Sequence, residues 1–225
     1  TSWDKAHLWA INPNAKYHFC NETLRGEFYQ GCWEYNKCIK HTIFISQSST
    51  PIKGFYQLLK AMPLILRHYP DTKVRIGGWN PTENNSWRQK IRLSGFGKLL
   101  RQYIKRNCLD SSIYFLGNLN AVEMKTEYLK ANVFVMPSSI ENSPNSLGEA
   151  QLLGVPCVVA YVGGVHDMVP NSECGILYRF DEIEMLAHSI CDIFEKSNSF
   201  DNSQMRQIAM KRHDAENNAK TLFNI

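Results

Sequence analysis

From Thr42 onward the chain alternates short β-branched runs with longer stretches whose apolar residues recur at helical spacing, and this alternation restricts the fold more than any other feature. Thr42-Ile-Phe-Ile-Ser46 reads as a strand, followed by an amphipathic helix over 55–68. Lys73-Val-Arg-Ile-Gly77 is the next strand and 86–107 the next helical region. After the strand Ile113-Tyr-Phe-Leu116, a helix starts near Asn120, whose side chain can cap and whose Glu123 occupies the capping-box position. Runs over 133–136, 157–160 and 175–178 complete the strands. Asp181 with Glu184 opens a further capped helix reaching about Glu195. Strands and helices alternating at these lengths predict an α/β protein with a doubly wound, parallel, Rossmann-like sheet.

The flanks read differently. Residues 1–41 carry Trp3, Trp9, Tyr17, Trp33 and Pro13 with little periodicity, as expected of an arm packed over the sheet edge or its helices. Residues 197–225 open polar and continue as a helix through Met205, Ile208, Ala209 and Leu222. The chain opens at Thr1 without Met and stops at Leu222-Phe-Asn-Ile225 while a helical pattern still runs, so an excised piece of a longer protein is expected.

A formal charge of +4 on 225 residues suits an anionic ligand or a membrane-surface partner. No basic run with interleaved aromatics occurs, which argues against nucleic acid. The seven cysteines form no C-x-x-C pair and no zinc-like cluster with histidine. Cys157, inside Val155-Pro-Cys-Val-Val159, reads as a buried apolar residue. Reduced thiols and a cytoplasmic setting are the expectation. The longest apolar stretch falls far short of the ~20 residues that cross a bilayer. Gly97-Lys-Leu-Leu-Arg-Gln-Tyr-Ile-Lys-Arg106 is basic and amphipathic. A solvated helix face accounts for it most economically, with peripheral membrane contact the other reading.

The most chemically informative segment is Glu141-Asn-Ser-Pro-Asn-Ser-Leu-Gly-Glu149, between the run 133–136 and a helix-compatible stretch. Its backbone N–H groups at Asn145, Ser146 and Leu147 begin a helix, and such a terminus is a natural seat for phosphate. Early helical side chains lean back toward the N-terminus, so Glu149 should face the same mouth as Glu141. Two carboxylates beside a phosphate need other partners, and sugar and ribose hydroxyls fit. Lys53, ahead of Gly54 at a helix start, can neutralise a pyrophosphate, while Gly54 permits close backbone approach. Gly78 and Asn118 end strands where nucleotide-binding folds bring backbone near a base. Gly163 and Gly164 allow a tight turn beside a ligand, before an expected short helix over 165–169. His166 and Asp167 lie in that turn, but neighbours on a helix do not face each other, so a catalytic pair is not expected.

The E-x7-E arrangement, followed by Ala150 and Gly154-Val-Pro156, resembles the retaining glycosyltransferases of the GT-B fold, family four. The similarity continues through Lys53-Gly54, Phe115-Leu-Gly117, Met136-Pro-Ser138 and Gly163-Gly164, in family order. It implies the C-terminal, nucleotide-sugar-binding half of such an enzyme. Residues 1–41 would then be an interdomain linker or remnant of an N-terminal domain. Residues 42–196 would be the Rossmann-like domain, and 197–225 a helical tail that returns to the N-terminal domain and is otherwise partly exposed or repacked.

The resemblance also implies roles. Lys53 contacts the donor diphosphate, Glu141 the hydroxyls of the transferred sugar and Glu149 the ribose hydroxyls. The family usually carries an arginine where this chain has Ser48, leaving neutralisation to Lys53, to backbone N–H groups and to another cation such as Arg75 or Arg88. No cofactor and no metal is implied: no D-x-D motif occurs, and the nucleoside-diphosphate sugar is itself the donor substrate. The expected partners are that nucleotide sugar, a glycan or lipid-linked acceptor and the N-terminal domain, with polysaccharide biosynthesis as setting. Two other readings stand beside transfer. One is a GT-B nucleotide-sugar epimerase or hydrolase, which needs an added acid/base pair. The other is a degenerate nucleotide- or carbohydrate-binding module without transferase activity, suggested by Ser48.

Overall fold

Each β-branched run becomes a strand. In the computed structural model, which describes residues 1–83 and 94–225, the strands are β1 (Thr42–Ile45), β2 (Lys73–Gly77), β3 (Ile113–Gly117), β4 (Val133–Met136), β5 (Cys157–Ala160) and β6 (Ile176–Tyr178). They form one parallel sheet in the order β3-β2-β1-β4-β5-β6. Strands are added outward from β1 to β3, and the chain then returns to lay β4 against the other side of β1. The loops leaving β1 and β4 therefore run to opposite faces, and the crevice between them is where open α/β sheets bind ligands.

Alternation along the strands divides the core in two. Ile43, Ile45, Val74, Ile76, Val133, Val135 and Val158 face one layer. That layer is built by α2 (Phe55–His68), α3 (Gly95–Arg106) and α6 (Ile183–Lys196). Phe44, Phe134, Met136, Cys157 and Val159 face the other, with α4 (Ala121–Lys130) and α5 (Asn145–Leu153). The Asn120–Glu123 capping box forms in both directions, at 3.0 Å and 2.9 Å. In α3, capped by Ser94, Leu100 and Ile104 are buried while Lys98, Lys105 and Arg106 are exposed. The apolar stripe of that basic helix is thus spent on the core. The expected helical region over 86–107 is described from residue 94 on, and its start, Arg88 included, lies outside the described residues.

Three local features depart from the sequence reading. Residues 2–11 form a helix, α1 (Ser2–Ile11), with no buried residue. Lacking an apolar stripe, it gave no periodic signal. Asp181 does not cap α6; it pairs with Arg179 at 2.9 Å, and Glu182 stands at the cap without a side-chain bond. The tail is two helices, α7 (Ser203–Arg212) and α8 (Ala215–Phe223), because Asp214 accepts from Asn217 N–H at 2.7 Å and starts a new helix. The first of these packs on α5 and buries Met205 and Ala209, while α8 leaves Leu222 and Phe223 exposed.

Part of the 1–41 segment is core. Leu24, Phe28, Trp33 and Cys38 are buried in the second layer. The Trp33 indole donates to the Ala131 carbonyl at 2.7 Å, and its amide to Leu153 at 2.8 Å. Among the described residues no helix is long and apolar enough to cross a membrane.

Candidate functional site

The crevice at the carboxyl ends of β1 and β4 opens into a cavity of about 770 Å³. Of the residues the sequence places in a donor site, Leu147 and Gly164 do not line it, while Lys53, Gly78, Asn118, Glu141, Asn145, Ser146 and Glu149 do. They come from five different loops or helix starts, which only the switch in strand order brings to one place.

On the β1 side, a single 3₁₀ turn (Pro51–Lys53) ends at Gly54, which holds φ +69°. A Cβ there would sit 1.5 Å from the Pro137 carbonyl oxygen. The close approach anticipated at Gly54 is therefore made by the backbone after β4, which locks the two loops together. Lys53 emerges from this turn and donates to Glu141 Oε1 at 2.7 Å. The pair spans the crevice.

On the β4 side, α5 begins at Pro144, which cannot cap it with a side chain. Leu147 differs from expectation: its side chain is wholly buried, and its N–H bonds the Pro144 carbonyl at 3.1 Å, because the first turn tightens to 3₁₀ geometry. Asn145 and Ser146, the first two residues of the helix, line the cavity. Four residues on, Glu149 is nearly buried, with 7% of its side chain exposed. Burial pushes its carboxyl pKa up, opposed by the adjoining guanidinium of Arg25.

Gly164 also lies elsewhere than expected, outside the cavity lining. Its N–H bonds the Glu141 carbonyl at 3.0 Å, and a Cβ at Gly163 would meet that same oxygen at 1.9 Å. The glycine pair is the seat against which the Glu141 loop is pressed. His166 and Asp167 do meet, with Nε2 and Oδ1 3.1 Å apart, because residues 165–167 form one 3₁₀ turn rather than a helix. Ser2 bonds both side chains. Neither residue lines the cavity, so no acid/base pair of the kind an epimerase needs faces it from there.

Of the cations proposed to stand in for the family arginine, Arg75 is committed to Glu127 on α4 and lies outside the cavity. Burial alone would raise the Glu127 pKa, but its bonds to Arg75 and Lys130 hold it low. Ser48 itself is wholly buried, and its hydroxyl has no hydrogen-bond partner. Among the described residues the second cation of the cavity is Arg25, with Nε and Nη2 at 3.0 Å and 2.7 Å from Glu149 Oε1. Sequence reasoning missed it, since it lies 124 residues from Glu149 in an aperiodic segment with no spacing to betray it. Glu22, Gln47 and Met124 also line the cavity and carried no signal of their own. Among the described residues no three His, Cys, Asp or Glu side chains group as metal ligands would.

Comparison with known proteins bears on this geometry. The profile of the family Glycosyl transferases group 1 matches residues 39–196. A D-inositol 3-phosphate glycosyltransferase of Corynebacterium urealyticum is 26% identical over 180 residues, covering 77% of this chain and 40% of that protein. Sucrose-phosphate synthase from Thermosynechococcus elongatus superimposes with a TM-score of 0.78 at 18% identity, over 100% of this chain and 55% of that one. Anabaena HepE in complex with UDP-glucose superimposes with a TM-score of 0.67 at 22% identity, over 83% of this chain and 49% of that one. The chain spans 35% and 40% of the length of the first two curated relatives it matches.

Proposed function

The chain belongs to the group 1 glycosyltransferases, and from that premise we propose that it is the donor-binding, C-terminal half of a retaining GT-B enzyme. The whole protein would move a hexose-type sugar from a nucleoside diphosphate to a glycan or lipid-linked acceptor, in a cytoplasmic setting. One observation carries this reading: Lys53, Glu141, Glu149 and the uncapped start of α5 share one cavity at the β1/β4 switch point. The similarity to the HepE complex with UDP-glucose supports a nucleotide-sugar donor.

In this reading the reaction is driven by position and charge. The diphosphate lies against the Asn145 and Ser146 N–H groups at the positive end of α5. Lys53 leaves Glu141 to follow the negative charge that develops on the departing nucleoside diphosphate. Glu141, so released, accepts hydroxyls of the transferred sugar, and Glu149 accepts those of the ribose through charge-assisted bonds. Gly78 and Asn118, at the ends of β2 and β3, adjoin the base. These groups supply the charge that a divalent ion provides in other transferases, so the reading requires no metal. The acceptor would dock mainly on an N-terminal domain outside this chain.

Calorimetric titration with UDP, GDP and ADP in the presence of EDTA tests the site. Binding of one nucleotide, weakened at least tenfold by Glu149→Ala, is the expected result. No heat from any of the three up to millimolar concentration would refute the donor site. A binding module without transfer is favoured by the buried, uncharged Ser48. Product formation by the whole protein from a panel of nucleotide sugars separates the two.

A further inference from the structure

The partner of Glu149 comes from outside the segment that resembles the family, and its placement is fixed from several sides. The Arg25 guanidinium stacks 4.8 Å from the ring of buried Phe28, which meets Tyr128 edge-on. The Leu24 N–H donates to the Tyr29 hydroxyl, which donates to the His213 carbonyl at 2.6 Å. His213 Nδ1 in turn bonds the Glu22 carbonyl at 2.7 Å. Segment 22–29 is thereby pinned to the end of α7 with Arg25 aimed at the cavity.

Both Arg25 nitrogens fall on Oε1 of Glu149. Oε2 takes no bond from Arg25; the nearby Tyr128 hydroxyl donates to the Ser146 carbonyl at 2.8 Å and lies close enough to favour the charged carboxylate as well. A carboxylate this enclosed stays charged only with a cation against it. Among the described residues, Glu27 of the same segment and Tyr128 from α4 also act on it, while Glu22 and the Lys53–Glu141 pair share the cavity and His213 packs against Gly148. Glu27 opposes a charged Glu149, and Arg25 supplies the larger compensation, ahead of the Tyr128 hydroxyl.

Building on the donor-site reading, we infer that Arg25 is a positioning residue of that site, holding Glu149 ionised with Oε2 open to a ribose hydroxyl. Discrimination between ribo- and 2′-deoxyribonucleotides then depends on Arg25, although the guanidinium itself need not touch the sugar. Affinity for the ribonucleotide should also become dependent on pH once Arg25 is removed, because Glu149 then ionises only at higher pH.

The test titrates the wild type, Arg25→Ala and Arg25→Lys with UDP, GDP and ADP, and with the 2′-deoxy form of whichever binds, at about pH 7 and about pH 9. The wild type should prefer the ribonucleotide with one Kd at both pH values. Arg25→Ala should bind about tenfold or more weakly at the lower pH, lose the ribo preference and regain affinity at the higher. Arg25→Lys should recover part of both. A variant that keeps the wild-type Kd or ribo preference, or whose loss is equal at both pH values, overturns the inference while leaving the donor site standing. A wild type that binds none of the three nucleotides overturns the donor site, and this role with it.

Discussion

Lys53 Nζ and Glu141 Oε1 lie 2.7 Å apart, joining the loop after β1 to the loop after β4 across the mouth of the crevice. Both side chains are partly buried, with 28% and 14% exposed, so desolvation offsets much of their attraction and the pair contributes little net stability. It is better understood as a charge-matched resting state. Lys53→Ala should change the unfolding free energy by less than about 1 kcal/mol. It should lower transfer by the whole protein by about 10²–10³-fold, the usual effect of removing one preorganised electrostatic contact. Steady-state kinetics with the cognate donor checks this, and an unchanged kcat would remove Lys53 from the mechanism.

Gly54 is a structural demand of another order. An alanine there would hold a left-handed φ of +69° and drive its Cβ into the Pro137 carbonyl. Strain and overpacking together should destabilise Gly54→Ala by about 3 kcal/mol or more. Urea unfolding measures the loss, and a fall in unfolding free energy below a tenth of that size would contradict the packing described.

His213 supplies a pH signature. It is buried, Nε2 has no partner, and burial lowers its pKa below the ordinary 6.5, against the opposing bond to the Glu22 carbonyl. The unfolded chain therefore binds this proton more readily than the folded one. Stability from this group is complete above about pH 6.5 and declines as pH falls from there through the lowered folded value. His213→Leu should flatten that part of a thermal-melt profile. A slope identical to wild type would assign the acid sensitivity to other groups.

At Asn120 the capping box satisfies two backbone donors. Asn120→Ala should cost about 1 kcal/mol of stability with no effect on nucleotide affinity, because the cap lies outside the cavity. A loss of binding as large as that expected for Glu149→Ala would mean that α4 reports to the site in a way the contacts do not show.

The sheet was legible because its signals are local. β-branched runs of four or five residues, separated by helical spacing, name the strands without reference to one another, and α2 keeps its sequence-read bounds of 55–68. The Glu141 loop was legible for the same reason, being one contiguous segment. What escaped depends on distance or on backbone detail. Arg25 meets a carboxylate far along the chain, and Leu147 loses its expected role to one tightened turn. Gly164 keeps the turn its sequence suggests, yet turns it toward the Glu141 backbone, an orientation that composition does not encode. The helix over residues 2–11 buries nothing, so no apolar stripe announced it.

The clasp between segment 22–29 and His213 links residues separated by 191 positions. Closing so long a loop is entropically unfavourable until the intervening strands have formed. One wall of the cavity thus comes into being only when almost the whole chain has found its place. A ligand held by Glu149 through that wall would favour the finished molecule over every partly folded precursor, and its affinity would then gauge completed folding.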